Sequence, residues 1–134
     1  MKLGIPPERC VAIVDKEGIA ANLASEEWVV PPLREKHRDK VNAISSIMIA
    51  FKVIRSIISK KTIRTLLSTG PGIAILPSIV FRLLGAQIIH IETWSRFESR
   101  SLTGRVMYYI AQYFYVQNQS LTEIYPKAKY SGRL

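Results

Sequence analysis

The sequence predicts an α/β domain of Rossmann-like type, in which helices flank a parallel sheet. Two observations support this fold class. An apolar strand at residues 65–67, an apolar helix at about 73–84 and a second strand at 87–91 form a βαβ unit, which implies neighbouring parallel strands and a right-handed crossover. The 134 residues, of which 48% are hydrophobic, are enough to bury one globular core.

The other elements follow from local patterns along the chain. Residues 1–4 are typical of a helix end closed by Gly4. A strand is expected at 10–14, with Cys10 as a buried reduced thiol and Asp15 as the cap of a following helix. Further strands are expected at 28–30 and 113–116, and Ser101 or Thr103 is expected to cap the helix before the last of these.

A long helix is predicted at residues 41–59. Its apolar residues form two stripes at helical spacing, which leave only a narrow polar sector. The first stripe is expected to face the core, and it consists of Ile44, Ile47, Met48, Phe51, Ile54 and Ile58. The second stripe is Ile49, Val53 and Ile57. Lys52 and Arg55 interrupt the helix, which makes it too short and too charged to be assigned as a membrane span.

The net charge of +9 favours anionic partners, which are nucleic acid, acidic lipid or a phosphorylated substrate. The densest basic cluster, at residues 34–40, has no aromatic interleaving, and no helix-turn-helix or zinc spacing is present. The sequence therefore predicts no nucleic-acid partner, no metal and no cofactor. Basic residues in and after the long helix are expected to contact acidic lipid headgroups, namely Lys52, Arg55, Lys60 and Lys61.

The first loop of the βαβ unit, residues 68–72, has the sequence STGPG. Gly70 and Gly72 allow a ligand to approach the backbone closely. The amides from Thr69 to Ile73 lie at the start of a helix, where free N–H groups and the helix dipole attract phosphate or pyrophosphate. A tight strand-to-helix turn without a ligand is an equally good interpretation of this loop taken alone.

The second loop, residues 93–100, follows Glu92 at the end of its strand. Because the carboxyl ends of parallel strands share one sheet edge, both loops are expected at the edge where ligands bind in open α/β sheets. The candidate ligand-binding side chains in it are Ser95, Arg96 and Arg100. Trp94 and Phe97 between these charges favour a binding loop over a solvated one.

His90 lies on the same strand face as Glu92. We expect it to be a core histidine, and a hydrogen bond to the neighbouring carboxylate would account for it.

These residues also carry a resemblance to a known family. The runs STGPG, IIHIETWSRFESRSLTGRV, YFYVQ and YPKAKYSGRL are similar to the membrane-associated subunit of the two-component UDP-N-acetylglucosamine transferase that extends lipid-linked oligosaccharide, and to the related bacterial and archaeal polysaccharide-biosynthesis proteins. The resemblance is close over the second half of the chain. It implies the acceptor-side half of a split GT-B glycosyltransferase related to MurG, with the UDP-sugar site on a separate subunit.

The resemblance also implies partners and a place of action. The expected partners are a donor-binding glycosyltransferase subunit, a polyprenyl-pyrophosphate-linked sugar acceptor and the cytoplasmic face of a membrane. Glu92 is the candidate base for the acceptor hydroxyl or a carboxylate that orients the loop. The amides of residues 70–73, with Arg96 and Arg100, are candidate pyrophosphate ligands. Activity is expected only together with the partner subunit.

One departure from the family concerns the start of the chain. Members of the family begin with a strand and a glycine-rich loop that contains a histidine, of GGH type, and this sequence has no such segment. We therefore expect residues 1–134 to form a single half-domain that is truncated at its N-terminus. Two other functions remain open at this point, a non-catalytic membrane scaffold that recruits a glycosyltransferase and a free-standing nucleotide-binding domain.

Overall fold

A computed structural model of the chain describes residues 6–14, 24–31, 41–69, 72–92 and 101–132. The chain divides into two compact units, Met1–Ile57 and Ile58–Leu134. The predictions that concern Gly4, Asp15 and the basic cluster at 34–40 lie outside the described residues.

The first unit contains a short parallel sheet and most of a long helix. After a 3-10 turn at Pro7–Arg9, strand β1 (Val11–Val14) pairs with strand β2 (Glu26–Val29), and helix α1 (Val41–Lys60) follows. The predicted strands and helix are confirmed to within two residues at their ends. Cys10 is a free cysteine that lies just before β1 and is only partly buried, so the prediction of a core thiol was wrong. Its thiol donates to the carbonyl of Pro6.

Helix α1 buries a different face from the one that its sequence predicted. Among its described side chains, the buried ones are Ser46, Ala50, Val53, Ile54 and Ile57. Of the stripe that was assigned to the core, only Ile54 is buried. The others are exposed, and these are Ile44, Ile47, Met48, Phe51 and Ile58. The reason is that two apolar stripes compete on one helix, and small side chains such as Ser46 and Ala50 allow neighbouring atoms to approach the buried stripe closely.

The second unit is a four-stranded, wholly parallel sheet with strand order β3-β4-β5-β6. Its elements in chain order are β3 (Thr65–Ser68), a 3-10 turn (Gly72–Ala74), α2 (Ile75–Leu83), β4 (Gln87–Ile91), α3 (Leu102–Ile110), β5 (Tyr113–Val116), α4 (Leu121–Ile124) and β6 (Lys129–Tyr130). The predicted strands β3, β4 and β5 are confirmed. Helix α4 and strand β6 were not predicted.

Helices α2 and α3 contact each other, and both contact β4. Helix α2 ends at a glycine in the left-handed region, Gly85, with φ of 87°. The amide of Gly85 donates to the carbonyl of Arg82, and the amide of Ala86 donates to that of Phe81. This is the Schellman arrangement, which turns the chain sharply from helix α2 into strand β4.

The core of this unit is formed by side chains from both layers. Ile88 of β4, Met107 of α3, Val116 of β5 and Leu121 of α4 are completely buried. The observed architecture is therefore an α/β fold with parallel sheets and flanking helices, as the sequence predicted. Within the described residues, no helix has the length and apolar character that would let it cross a membrane.

Candidate functional site

The carboxyl edge of the four-stranded sheet carries the residues that the sequence singled out. Strands β3 and β4 are parallel and in register, so that Ser68 lies beside His90. Thr69 follows β3 and Glu92 follows β4 at the same edge. The amide of Glu92 donates to the carbonyl of Tyr115 at 2.9 Å, which holds its backbone against β5.

Glu92 points its carboxylate at the N-terminus of helix α3. The Ser101 hydroxyl donates to Glu92 at 3.1 Å from both carboxylate oxygens. The same hydroxyl oxygen accepts from the amide of Gly104 at 2.7 Å, so Ser101 is the N-cap of α3 as predicted. The helix dipole favours a negative charge at this position. Glu92 is only 1% exposed, so its carboxyl group is held inside the protein at the start of the helix.

Gly104 makes room for this carboxylate. A Cβ atom on Gly104 would lie 1.8 Å from Oε2 of Glu92, 2.7 Å from the hydroxyl of Tyr125 and 2.8 Å from Oγ of Ser101. No side chain other than hydrogen fits in that space without moving its neighbours. The three oxygen atoms therefore converge on the surface of one glycine, and Gly104 is part of the site.

His90 connects this cluster to the first loop. Its Nδ1 lies 3.1 Å from Oγ of Ser68, the last residue of β3. Its Nε2 lies 3.9 Å from Oε2 of Glu92, which is too long for the hydrogen bond that was expected but close enough for electrostatic attraction. The predicted core position is confirmed, because His90 is fully buried. Ser68, which ends β3, is also buried.

An aromatic cluster lies beside the carboxylate. The ring of Phe114 is 5.0 Å from His90 and 4.9 Å from Tyr125, and the ring of Tyr108 is 5.2 Å from Tyr125. Rings at such separations stabilise one another beyond the area that they bury. The cluster therefore packs the rings of Phe114 and Tyr108 close to the imidazole and to the ring of Tyr125.

The first loop is described in part. Thr69 is exposed, and the 3-10 turn Gly72–Ala74 leads directly into α2. Ile73 is buried and anchors the turn. The residue before α2 is Ala74, whose methyl group cannot accept a hydrogen bond, and α2 has no side-chain cap. The start of α2 therefore differs from that of α3, which has a serine cap and a carboxylate.

Several predicted site residues lie outside the described residues, namely Gly70, Ser95, Arg96 and Arg100. Thr69, Gly72, Ile73 and Glu92 follow the carboxyl ends of the paired parallel strands β3 and β4, and their role in binding an acceptor stays a prediction. On helix α1, Lys52 and Arg55 are exposed near Met48 and Phe51. Lys60 is exposed and Lys61 partly exposed where that helix ends.

Sequence reasoning missed Gly104, Ser68 and Tyr125. A glycine inside a helix costs roughly 1 kcal/mol relative to alanine and usually has a packing reason, so the LTGRV run contained a signal for Gly104. Ser68 and Tyr125 had no such signal, because their roles depend on strand register and on the packing of α4. The described residues contain no group of three or more side chains that could hold a metal ion.

The fold and this edge define an α/β domain of the kind that binds ligands at the carboxyl ends of parallel strands. Comparison with known sequences is more specific. The profile of the family described as "Oligosaccharide biosynthesis protein Alg14 like" matches residues 15–134. The chain belongs to this family.

Individual relatives agree with the family match. The chain is 34% identical over 74 residues to the UDP-N-acetylglucosamine transferase subunit ALG14 of Rattus norvegicus, and 32% identical over 74 residues to that of Homo sapiens. Each of these matches covers 51% of this chain. The subunit of Kluyveromyces lactis is 34% identical over 98 residues, which cover 69% of this chain.

These matches extend over only 34% of the rat and human proteins and 41% of the yeast protein. The chain thus spans well under half the length of these curated relatives. No solved structure matches the chain.

Proposed function

We propose that this chain is a subunit of a UDP-N-acetylglucosamine transferase and that it binds the acceptor, a sugar linked to a lipid through pyrophosphate. The observation that carries the proposal is the carboxyl edge of the sheet. There the start of α2 has no side-chain cap, while the adjacent start of α3 is filled by Glu92. Membership of the Alg14-like family supports the reaction class.

The pyrophosphate would bind at the first loop. The amides of Gly72 and Ile73 open the turn into α2, and helix N-termini bind phosphate groups through such amides and the helix dipole. Thr69 is exposed beside them and can donate its hydroxyl to a phosphate oxygen. Arg96 and Arg100 follow Glu92 in the sequence, and we assign to them the remaining negative charge of the acceptor.

Glu92 has two candidate roles in this scheme. As a base it would accept the proton of the acceptor hydroxyl. Its burial and its two contacts with Ser101 favour the orienting role, in which it fixes the start of α3. Replacement by glutamine separates the two. A base predicts turnover lower by about 100-fold with acceptor affinity nearly unchanged, whereas an orienting carboxylate predicts lower thermal stability with nearly normal turnover.

The donor half of the reaction is assigned to a partner subunit, which would supply the UDP-sugar site. On this proposal the chain is the acceptor-side half of a split GT-B enzyme, and the assignment of residues 1–134 to one half-domain stays a prediction. The test is a transfer assay with UDP-N-acetylglucosamine and a polyprenyl-pyrophosphate sugar. The chain alone should give no product, and product should appear when the partner subunit is added. Turnover by the chain alone would overturn the split-enzyme proposal.

We further propose that α1 contacts the membrane surface at the cytoplasmic face. Its exposed apolar side chains Ile44, Met48 and Phe51 lie on one side of the helix, three or four residues apart. Arg55 is four residues from Phe51 on that side, and Lys52 is four residues from Met48. An apolar face with long basic side chains is typical of helices that lie in the headgroup region.

Vesicle binding tests this contact. The chain should bind vesicles with anionic lipid, and binding should weaken with salt because exposed charges are screened. Replacing Met48 and Phe51 by serine should release the chain, whereas replacing Leu83, which is 82% exposed on α2, should not. The contribution of charge is tested by comparing Lys52→Glu on α1 with the control variant Lys127→Glu, which lies outside α1. Equal binding of neutral and anionic vesicles, or equal effects of the test and control variants, would contradict the proposed contact.

A further inference from the structure

We infer that His90 is a positioning residue that couples the end of β3, where the first loop begins, to the start of helix α3. This inference rests on the proposed function. It goes beyond that proposal, because it assigns a role to a buried histidine that the proposed binding scheme does not use. The observation behind it is a row of polar side chains that leads from the end of β3 to the start of α3.

This row of polar groups consists of four side chains, which are Ser68, His90, Glu92 and Ser101. Ser68 lies 3.1 Å from Nδ1 of His90, and Nε2 of His90 lies 3.9 Å from the carboxylate of Glu92. Glu92 accepts from Ser101, which in turn caps α3 through the amide of Gly104. Ser68 immediately precedes the exposed Thr69 of the first loop, and Glu92 immediately precedes the second loop. The imidazole thus lies within 4 Å of both Ser68 and Glu92.

Burial makes this connection strong. Side-chain exposure is 0% for His90 and 2% for Glu92, so water does not screen their attraction. Within the described part of the chain, Nε2 of His90 has no hydrogen-bond partner. A buried nitrogen in this state is costly unless a charge compensates it. The carboxyl group of Glu92 lies 3.9 Å from Nε2, and we assign this compensation to it.

The position of the Glu92 carboxyl group also favours one tautomer of the imidazole. A proton on Nε2 faces the negative carboxylate, and Nδ1 is then free to accept from the hydroxyl of Ser68. In the other neutral tautomer, Nε2 would present a lone pair to the carboxylate, which is unfavourable. We therefore expect the ring to carry its proton on Nε2. We therefore expect a substitution at Glu92 to alter the hydrogen bond between His90 and Ser68, and with it the beginning of the first loop.

The functional consequence is coupling between the start of helix α3 and the end of β3, where the first loop begins. An acceptor that binds the amides of the first loop would lose affinity when a substitution removes any of the three contacts in this row of side chains, even though these side chains are buried. Each substitution should cause the same loss, and a second substitution in the same row should add nothing further. Such non-additivity distinguishes a row of coupled positioning contacts from three independent packing contacts.

The test uses the full chain with inorganic pyrophosphate as the probe. The three single variants are Ser68→Ala, His90→Phe and Glu92→Gln. Phenylalanine keeps a ring against Phe114, which lies 5.0 Å from the imidazole, while it removes both nitrogens. Each variant is expected to weaken pyrophosphate binding by about 5-fold, and each pair combined by about the same 5-fold rather than 25-fold. His90→Asn, which retains a nitrogen near the Nδ1 position, should restore only the link to Ser68.

A matched control is Ser131→Ala, since Ser131 also donates from a serine hydroxyl to strand β5 of the same sheet. Its effect on pyrophosphate binding should be small, and in combination with Glu92→Gln the two effects should multiply. Thermal stability is measured for every variant, so that a loss of fold is recognised separately from a loss of affinity.

Nitrogen NMR of the imidazole gives a readout that does not need the transferase reaction. The sequence has only two histidines, His37 and His90, so the spectrum can be assigned with one substitution. A proton on Nε2 of His90 supports the inference, and a proton on Nδ1 alone overturns it. Multiplying effects of the variants with pyrophosphate binding intact overturn the inference and leave the proposed function standing. Failure of the wild-type chain to bind pyrophosphate overturns the pyrophosphate site and the inference together.

Discussion

Helices α2 and α3 begin at the same edge of one sheet, yet only α3 has a side-chain cap at its N-terminus. At α3, Ser101 caps the helix and donates to the buried carboxylate of Glu92. At α2, the residue before the helix is Ala74, and no side chain caps it. Both N-termini present amides and a positive dipole end, which favour a negative charge. One of them already has that charge from within the protein.

The difference suggests a division of roles. The start of α3 is completed by the carboxyl group of Glu92 through Ser101. Among the described residues, no side chain caps the start of α2, and on our proposal the pyrophosphate of the acceptor binds there. A site in which both N-termini were filled internally would have no reason to attract a phosphorylated ligand.

The largest expected effect comes from filling the space at Gly104. In Gly104→Ala the new methyl group would lie 1.8 Å from Oε2 of Glu92, so the carboxylate must leave the start of α3. We expect a loss of about 3 kcal/mol in the free energy of unfolding, measured in urea.

A double variant shows whether the carboxylate is responsible. Combining Gly104→Ala with Glu92→Ala removes the atom that is closest to the new methyl group, although Tyr125 and Ser101 still crowd it. The two losses should therefore sum to clearly more than the loss of the double variant. Purely additive losses would indicate that Gly104 and Glu92 act independently.

The next effect concerns the ligand at α2. Gly72 begins the 3-10 turn that leads into α2. Gly72→Val should block close approach to the amides and weaken pyrophosphate binding by about 10-fold, which corresponds to about 1.4 kcal/mol. Gly72→Ala should give a smaller loss. Unchanged binding in the valine variant would place the pyrophosphate elsewhere.

Removing the cap of α3 should have a smaller effect on stability. Ser101→Ala deletes both the bond to the Gly104 amide and the bond to Glu92, and we expect a loss of about 1 kcal/mol in chemical denaturation. Ser101→Thr keeps the hydroxyl and should restore most of it. If the alanine variant is as stable as the wild type, the cap does not hold the carboxylate in place.

The smallest effect comes from adding a negative charge at the start of α2. Ala74→Asp places a carboxylate at the start of the helix, which should stabilise the protein by about 0.5 kcal/mol and compete with pyrophosphate. Ala74→Asn has the same shape without the charge and should leave pyrophosphate binding closer to normal. Equal binding by the two variants would argue against an electrostatic site at this helix.

The sequence predicted much of this architecture because its strongest signals are local. The bounds of β4 and β5 were predicted correctly, and Ser101 was one of two expected caps for α3. Helix α4, with four residues, and strand β6, with two, were missed. Elements of that length have too few residues for a periodic pattern, and they are held by pairing with β5 and by the burial of Tyr125 and Leu121.

The site was predicted less completely than the fold. That Glu92 and the first loop share one edge followed from parallel strands alone. That Glu92 is buried against the start of α3 did not, because its environment depends on Gly104, twelve residues further along the chain, and on the packing of Tyr125. The prediction of the buried face of α1 was wrong for a related reason. Periodicity identifies apolar stripes but does not show which of two stripes is buried.

The most direct test of the comparison is an amide NMR titration of the full chain with inorganic pyrophosphate. The account predicts that the amides of Gly72, Ile73 and Ala74 shift most, while those of Thr103 and Gly104 stay close to their unliganded positions. Shifts of equal or larger size at Thr103 and Gly104, or no shift at the start of α2, would contradict the claim that one helix N-terminus is filled from within and the other by the acceptor.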